Sequence, residues 1–149
     1  MTQPTLILGS DHAGLHLKNH LLKWLQGQRF QVQDLGVFTP ESMDYPDIAE
    51  QLARAVVATP DSLGILVCGS GIGVCIAANK IQGARAALCH DPVSAGLSRE
   101  HNNANILTLG ERIITPLLAE TVVSAWLAAE FAGGRHQQRV EKITHLENT

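Results

Sequence analysis

Short apolar runs alternate with longer stretches of mixed polarity along the whole chain. Each run is rich in aliphatic residues and is ended by glycine or polar residues, which is typical of buried strands. The predicted strands are residues 5–9, 30–35, 62–68, 84–89 and 105–109. The stretches between them carry apolar residues at the spacing of one helical face, as at Leu17, Leu21 and Leu25. The pattern therefore predicts strands that alternate with helices.

Several predicted helices begin or end at residues that favour such positions. Thr115 precedes Pro116, which is the order expected of a capping residue and a first-turn proline. Gly133 and Gly134 then separate that helix from a last one. The predicted helices are residues 15–26, a stretch that follows Asp44-Tyr45-Pro46, a short stretch from residue 74, and residues 91–98, 115–131 and 135–146.

Strands that alternate with helices indicate an α/β fold. Such chains form parallel sheets with right-handed crossovers and helices on both faces. Ligands of these sheets bind beyond the carboxyl ends of the strands. Asp11, His12 and Cys68 lie at or just past predicted strand ends, whereas His101 and Asn102 are assigned to the loop before the fifth strand. The first three are therefore expected at the ligand-binding edge, and the last two are not.

Composition narrows the class of protein. The 149 residues are expected to form one domain, 1–149, whose core is aliphatic because 45% of residues are hydrophobic and only 4% aromatic. A net charge of −3 argues against general nucleic-acid or membrane-surface binding, so an anionic substrate needs a local basic cluster. No stretch has the pattern of a signal peptide or a membrane span. Three cysteines, an odd and sparse set, indicate a reducing cytoplasm rather than a disulfide framework.

The most informative stretch runs from Gly64 to Gly73. An apolar strand leads into Cys68, and glycines stand at positions 69, 71 and 73 before residues that can continue as a helix. Glycines let a backbone approach a ligand closely, and a helix start adds unpaired N–H groups and partial positive charge. The loop is therefore a candidate cradle for an oxyanion or a phosphate, with a thiol at its edge. The alternative is a turn that needs glycine only for packing.

Three other kinds of site fit the sequence less well. A dinucleotide site needs G-x-G-x-x-G after the first strand, but here the glycines are one residue short and follow the third strand. A cysteine phosphatase needs an arginine six positions after the thiol, where this chain has Val74. His12, His16 and His20 are four apart near one helical face and could share a metal ion, but no carboxylate or cysteine nearby in the sequence completes the set. A solvated helix face is the alternative for these histidines.

Cys89, His90 and Asp91 follow one another and have the residue types of a catalytic trio. Neighbouring residues on a strand point to opposite faces of the sheet, so Cys89 and His90 are not expected to form a dyad.

A basic cluster stands near the end of the sequence. Arg135 and Arg139 are four apart and share one helix face, with His136 beside them. The planar guanidinium group suits phosphate, so in a chain this acidic the cluster is the best phosphate candidate. An ordinary solvated helix is the alternative, which would also explain Lys142.

Taken together, these segments resemble the type B ribose-5-phosphate isomerase family, which also contains galactose-6-phosphate isomerase subunits and enzymes that act on allose 6-phosphate. The resemblance covers nearly the whole chain in order. It rests on five segments: Ser10–Gly14, Asp44–Pro46, Cys68–Gly73, Ser98–Asn102 and Gly133–Val140.

The resemblance implies a three-layer α/β/α sandwich, Rossmann-like, on a five-stranded parallel sheet. It also implies a cytoplasmic homodimer or homotetramer that interconverts aldose and ketose phosphates without metal or cofactor. Cys68 would be the base that moves a proton between C1 and C2, His101 would assist ring opening, and Ser70, where many members have threonine, keeps the catalytic hydroxyl. The residues implied to bind substrate are Asp11, His12, Gly69, Ser70, Gly71, Ile72, Gly73, Asn102, Arg112, Arg135 and Arg139.

The chemistry agrees with these residues. Such an isomerisation passes through an enediolate, whose negative oxygen the loop amides can stabilise, and a helix start favours the thiolate form of a neighbouring cysteine. Arg135, Arg139 and His12 would hold the phosphate away from the reacting carbons and so orient the substrate.

The leading hypothesis is a pentose-phosphate isomerase, and the nearest rival is a hexose-phosphate isomerase acting on allose 6-phosphate or galactose 6-phosphate. Galactose-6-phosphate isomerases use two chain types, whereas this chain carries every motif. Outside this chemistry, a non-catalytic sensor of phosphosugars or nucleotides is the alternative. A sensor would not need Cys68 or His101.

Overall fold

Five parallel strands form one sheet in the order β2-β1-β3-β5-β4. The computed structural model describes residues 3–148. β3 lies at the centre, and each of its residues is buried, whereas β2 and β4 form the edges and have three residues each. The strands are β1 (Thr5–Ser10), β2 (Val32–Asp34), β3 (Ser62–Cys68), β4 (Ala86–Leu88) and β5 (Ile106–Gly110).

Six α-helices connect and follow the strands within the described residues. They are α1 (Leu15–Gly27), α2 (Tyr45–Ala58), α3 (Ile72–Ala78), α4 (Pro92–Asn102), α5 (Pro116–Ala128) and α6 (Arg135–His145). Short 3-10 turns precede α1 (His12–Gly14) and follow α6 (Leu146–Asn148). None of the described helices is long and apolar enough to cross a membrane.

The core has two layers because successive strand residues face opposite sides of the sheet. Leu6 and Leu8 of β1 pack in one apolar cluster with α1 and α5, which contributes the fully buried Trp126. Ile7 belongs to the other cluster, together with residues of α2 and α3 such as Leu52 and Val74. The predicted three-layer α/β/α arrangement on a five-stranded parallel sheet is thus confirmed.

The predicted element ends were less accurate. The two edge strands are shorter than the predicted ranges 30–35 and 84–89, and α5 ends at Ala128 rather than near Phe131. The assignment of His101 and Asn102 to a loop was wrong, because α4 continues through both. Residues 99–102 contain no glycine or proline that would end a helix, and the turn comes only at Asn103, which adopts a left-handed conformation with φ of 47°.

Candidate active site

A cleft of about 520 Å³ opens at the carboxyl edge of the sheet. It lies where the glycine loop after β3 meets the segments that follow β1 and β5. Its lining consists of Asp11, His12, Ala13, Tyr45, Cys68, Gly69, Ser70, Ile72, Gly73, Ile76, Arg112 and Ile113. Sequence-predicted residues from three separate parts of the chain therefore meet here.

Cys68 is the last residue of β3 and is only 5% exposed. The N–H of Gly71 donates a hydrogen bond to its Sγ at 3.1 Å. Gly71 can turn this N–H back toward the sulfur because it adopts a left-handed conformation with φ of 78°, which costs glycine little. The amide dipole stabilises negative charge on the sulfur.

The glycine loop leads directly into α3. The Oγ of Ser70 accepts the N–H of Ile72 at 3.2 Å, and the hydroxyl of Thr108 in β5 donates to the carbonyl of Gly71 at 2.9 Å. These bonds hold the middle of the loop, which lines the cleft with Gly69, Ser70, Ile72 and Gly73.

Arg112 enters the cleft from the turn Gly110–Arg112. Glu111 donates its N–H to the carbonyl of Cys68 at 2.9 Å, and Arg112 donates to that of Gly69 at 3.0 Å. The turn also approaches the loop closely, since a Cβ on Gly110 would lie 2.5 Å from the carbonyl carbon of Ser70. The position of Arg112 is thus tied to the backbone beside Cys68.

Asp11 and His12 face the cleft from the segment after β1. Oδ1 of Asp11 caps the short 3-10 turn by accepting the N–H of Gly14 at 3.1 Å. Nδ1 of His12 accepts the N–H of Met43 at 3.2 Å, so the neutral ring carries its proton on Nε2. His12 can therefore donate a hydrogen bond to an anion.

The structure does not bring His101, Asn102, Arg135 and Arg139 to this cleft within one chain. α4 runs from the carboxyl edge of the sheet back to the amino edge, and His101 lies in its last turn. The seven residues of β3 span roughly 20 Å between the two edges. The four residues belong instead to the end of α4 and to α6, which pack against each other.

His101 and His136 join these two helices. Their rings stack with centroids 4.3 Å apart and an angle of 13° between planes. Desolvation, followed by the nearby positive groups of His101, Arg135 and Arg139, lowers the pKa of His136. The stack therefore holds the end of α4 against the start of α6, beside the two arginines of the basic cluster.

The three histidines at four-residue spacing have separate surroundings. His12 accepts from Met43, His16 is exposed, and Nε2 of His20 lies 2.6 Å from the carboxylate of Glu120 on α5. The sequence could not indicate Glu120, because it is distant in the chain. Among residues 3–148 no group of three or more histidine, cysteine, aspartate or glutamate side chains is arranged to hold a metal ion.

Cys89 and His90 contact different groups. The Cys89 thiol is buried, which raises its pKa, and it lies near the hydroxyls of Ser98 and Ser94. Nε2 of His90 accepts the N–H of Gly110 at 2.9 Å. The two side chains thus do not form a dyad, as predicted. The reason is different from the predicted one: both residues lie beyond the end of β4, so strand alternation does not apply to them.

Sequence reasoning missed two groups near the site. Tyr45 lines the cleft, although the sequence indicated it only as part of a helix start and of one segment of the family resemblance, and not as a site residue. Lys18 is fully buried, and its Nζ donates to both carboxylate oxygens of Asp34 and to the carbonyl of Val37, each at 2.9 Å. The only indication of Lys18 in the sequence was its place beside the apolar residues of the predicted helix. The ion pair holds the segment after β2, in which Gly36 and Val37 form backbone hydrogen bonds with Ser10, the residue before Asp11.

Comparisons with known proteins agree on one family. The family model for ribose/galactose isomerase matches residues 6–143. The chain is 46% identical to ribose-5-phosphate isomerase B of Escherichia coli K12, over 95% of each chain, and 45% identical to D-erythrulose-4-phosphate isomerase of Pectobacterium atrosepticum, over 97% of this chain and 95% of that protein. It is also similar to the crystal structure of ribose-5-phosphate isomerase B from Mycoplasma genitalium with bound ribulose 5-phosphate, with a TM-score of 0.94, 41% identity and 99% of each chain covered.

Proposed function

This chain belongs to the ribose/galactose isomerase family, and we propose that it interconverts ribose 5-phosphate and ribulose 5-phosphate without a metal ion or cofactor. The whole chain, 1–149, acts as a single sugar-phosphate isomerase domain. The observation that carries the proposal is Cys68, which faces the cleft with the N–H of Gly71 directed at its sulfur.

In the proposed reaction Cys68 is the base. The thiolate removes the proton from C2 of the open-chain aldose, and the electron pair of that C–H bond forms the C1–C2 double bond of an enediolate. The thiol then returns the proton to C1, and a proton moves between the two substrate oxygens, which gives the ketose. No atom is gained or lost, so the reaction needs no co-reactant.

The glycine loop stabilises the enediolate oxygen. The N–H groups of Gly71 and Ile72 already bond to Cys68 Sγ and Ser70 Oγ, so the other amides of Gly69–Gly73 and the N-terminus of α3 act as donors where negative charge develops. Such donors are worth several kcal/mol in the transition state. The hydroxyl of Ser70 keeps the loop in place through Ile72. Asp11, which also lines the cleft, binds the sugar hydroxyls.

The phosphate and the closed sugar ring need residues that one chain holds apart. His101 assists ring opening, Asn102 binds the substrate, and Arg135 and Arg139 bind its phosphate together with His12 and Arg112. Because the end of α4 and α6 lie at the amino edge, these four residues serve the cleft of a second copy. We therefore propose a homodimer or a homotetramer built from such dimers as the active form.

The three free cysteines suit a cytoplasmic enzyme, because a reducing compartment keeps the Cys68 thiol available. A sugar phosphate is the proposed small-molecule partner, and neither nucleic acid nor a membrane is part of the proposed function.

The length of the sugar is the main alternative. A relative that is 45% identical is a D-erythrulose-4-phosphate isomerase, so four-carbon substrates join allose 6-phosphate and galactose 6-phosphate as candidates. A non-catalytic phosphosugar or nucleotide sensor is the remaining alternative, and it leaves the roles of Cys68 and His101 unexplained.

One experiment tests the function and its alternatives. The purified protein is assayed with ribose 5-phosphate, D-erythrulose 4-phosphate, allose 6-phosphate and galactose 6-phosphate, each at several concentrations. We expect the highest kcat/KM with ribose 5-phosphate. A higher value with another sugar would assign that sugar as the substrate, and binding of the phosphosugars without turnover would favour the sensor.

A further inference from the structure

Gly110 ends β5 beside a gap in the sheet. β4 pairs with β5 only as far as Leu88, whose register partner is Thr108. The N–H of Cys89 still donates to the carbonyl of Thr108 at 3.4 Å, and beyond this bond the imidazole of His90 takes the place of a strand, since its Nε2 accepts the N–H of Gly110 at 2.9 Å. A side chain therefore completes the hydrogen bonding that backbone provides elsewhere in the sheet.

This hydrogen bond lies behind the turn Gly110–Arg112. On its other side the same turn contacts the glycine loop, where Gly110 packs on the backbone of Ser70 without room for a Cβ. The two following N–H groups bond to the carbonyls of Cys68 and Gly69. The turn is thus held between the loop and the imidazole.

We propose that His90 is a positioning residue whose neutral imidazole, by accepting the N–H of Gly110, holds the turn Gly110–Arg112 and the glycine loop in register beside Cys68. Its effect on turnover rests on the proposed function, whereas the hydrogen bond does not. A neutral ring that accepts at Nε2 carries its proton on Nδ1. Protonation of Nε2 would replace the acceptor by a second donor, so the bond would be lost.

The surroundings favour the neutral ring, because burial lowers the pKa of His90. Each charged side chain on the elements around His90 contacts another group. Asp91 accepts from Ser94, Glu111 accepts from the N–H of Leu17, and Arg112 lies against Gly69. The neighbouring thiols of Cys75 and Cys89 are neutral at pH 7, because burial raises the pKa of both.

Two substitutions distinguish the loss of the hydrogen-bond acceptor from the loss of the imidazole ring. His90→Gln places an amide oxygen near the position of Nε2, whereas His90→Leu fills similar space without an acceptor. The exposed His16 on α1 offers the control His16→Leu, which makes the same chemical change at an exposed side chain of another element. Amide hydrogen exchange at Gly110 reports the bond in the free protein, and kcat as a function of pH reports its effect on turnover.

In the parent protein we expect Gly110 to be protected near neutral pH and to lose protection, beyond the intrinsic pH dependence, as His90 protonates. His90→Gln should keep protection without this pH step. His90→Leu should lose protection at every pH and lower kcat about tenfold at neutral pH, while His90→Gln stays within about twofold of the parent. The control should match the parent in both measurements.

Unchanged Gly110 protection and kcat in a folded His90→Leu variant would overturn the proposal, and so would equal impairment of His90→Gln. If His90→Leu does not fold, the presence of the same pH step in His90→Gln as in the parent would overturn it. A parent protein with no isomerase activity would contradict the proposed function alone, because hydrogen exchange tests the bond without substrate.

Discussion

The backbone N–H of Gly71 donates a hydrogen bond to Sγ of Cys68 across the turn that begins the glycine loop. Burial removes the solvation of a charged thiol, and it raises the pKa of the Cys89 thiol even though the hydroxyls of Ser98 and Ser94 oppose the shift. Cys68 is equally buried but faces the cleft with an amide directed at its sulfur. This pairing underlies the prediction for the base.

Removing the Cys68 thiol should abolish proton transfer while leaving the fold intact. Cys68→Ala should lower kcat by ~10²–10⁴-fold, the range typical of a lost general base. Cys68→Ser should be similarly inactive, because a hydroxyl fits the turn but is a far weaker base. Steady-state kinetics give kcat, and NMR in heavy water shows whether the substrate gains deuterium next to its carbonyl.

The other two cysteines provide the control. Cys75→Ala and Cys89→Ala should lower stability more than kcat, since burial raises the pKa of both thiols and keeps them unreactive. Iodoacetamide should alkylate Cys68 first, and sugar phosphate should protect it. Normal turnover and deuterium exchange in Cys68→Ser would move the role of base to Asp11 or His101.

Arg139 should contribute to phosphate binding. Arg139→Ala should mainly raise KM, because a phosphate contact is present in both the ground state and the transition state. Lys142, exposed on the same helix, provides a matched control, and Lys142→Ala should leave KM unchanged. An unchanged KM in folded Arg139→Ala would mean that Arg139 is only a solvated surface residue.

The active site should be shared between two chains. A mixture of inactive Cys68→Ala chains and Arg139→Ala chains, assayed with substrate well below the raised KM, should regain activity, because one of the two sites in a mixed dimer then has both native residues. Activity is measured after subunit exchange has been verified by mass spectrometry of the intact dimer.

The control for a site shared between chains is a mixture in which the two substituted residues line the same cleft of one chain. In a mixed dimer of Cys68→Ala and Arg112→Ala, each cleft lacks one of these residues, so little activity should return. Equal recovery in both mixtures, or no recovery in the first, would contradict the division between chains.

Activity should not depend on a metal ion. His12 and His20 have other partners, and residues 3–148 contain no cluster suited to a metal. After exhaustive treatment with EDTA, kcat should equal that of the untreated protein. A loss that a divalent cation restores would show that the reaction needs a metal.

Stability should fall on the acid side partly through His90. The folded protein holds the pKa of His90 below its ordinary value of about 6.5, so the unfolded chain binds the proton first as pH falls. The stabilising contribution is complete above the unfolded pKa and decreases from there toward the folded pKa. Between about pH 7 and pH 5, His90→Gln should therefore lose less Tm than the parent. Equal losses would show that His90 titrates alike in both states.

The sequence was sufficient for the order of strands and helices, because periodicity and turn residues are local properties. The sequence predicted the ends of strands and helices less accurately where tertiary contacts determine them. The edge strands β2 and β4 stop after three residues, since each has a neighbour on one side only. α4 continues four residues beyond Ser98, because Asn103 rather than any proline or glycine ends it.

The site was predictable in part. Cys68 and the glycines are contiguous, so one motif indicated them together. Tyr45 and Lys18 gave no such signal, because a tyrosine at a helix start or a lysine near an apolar face has many uses. Only the fold shows that Tyr45 lies in the cleft and that Lys18 bonds to Asp34.

β3 differs from a half-exposed strand in how its alignment is fixed. All its residues are buried, and from Leu63 to Cys68 none carries a charged or amide side chain. A strand with one polar face loses its burial pattern when it slips by one residue, whereas β3 would exchange one apolar face for another. Hydrophobicity alone therefore fixes the burial of β3 but not the placement of the Cys68 sulfur. Side-chain size supplies the missing constraint at Gly64, where a Cβ would lie 2.7 Å from Cδ2 of Leu52 and 2.8 Å from Cγ2 of Val56. A slip of one residue would bring Leu63 or Ile65 into that space, so the smallest residue of the strand holds the sulfur in register from four positions away.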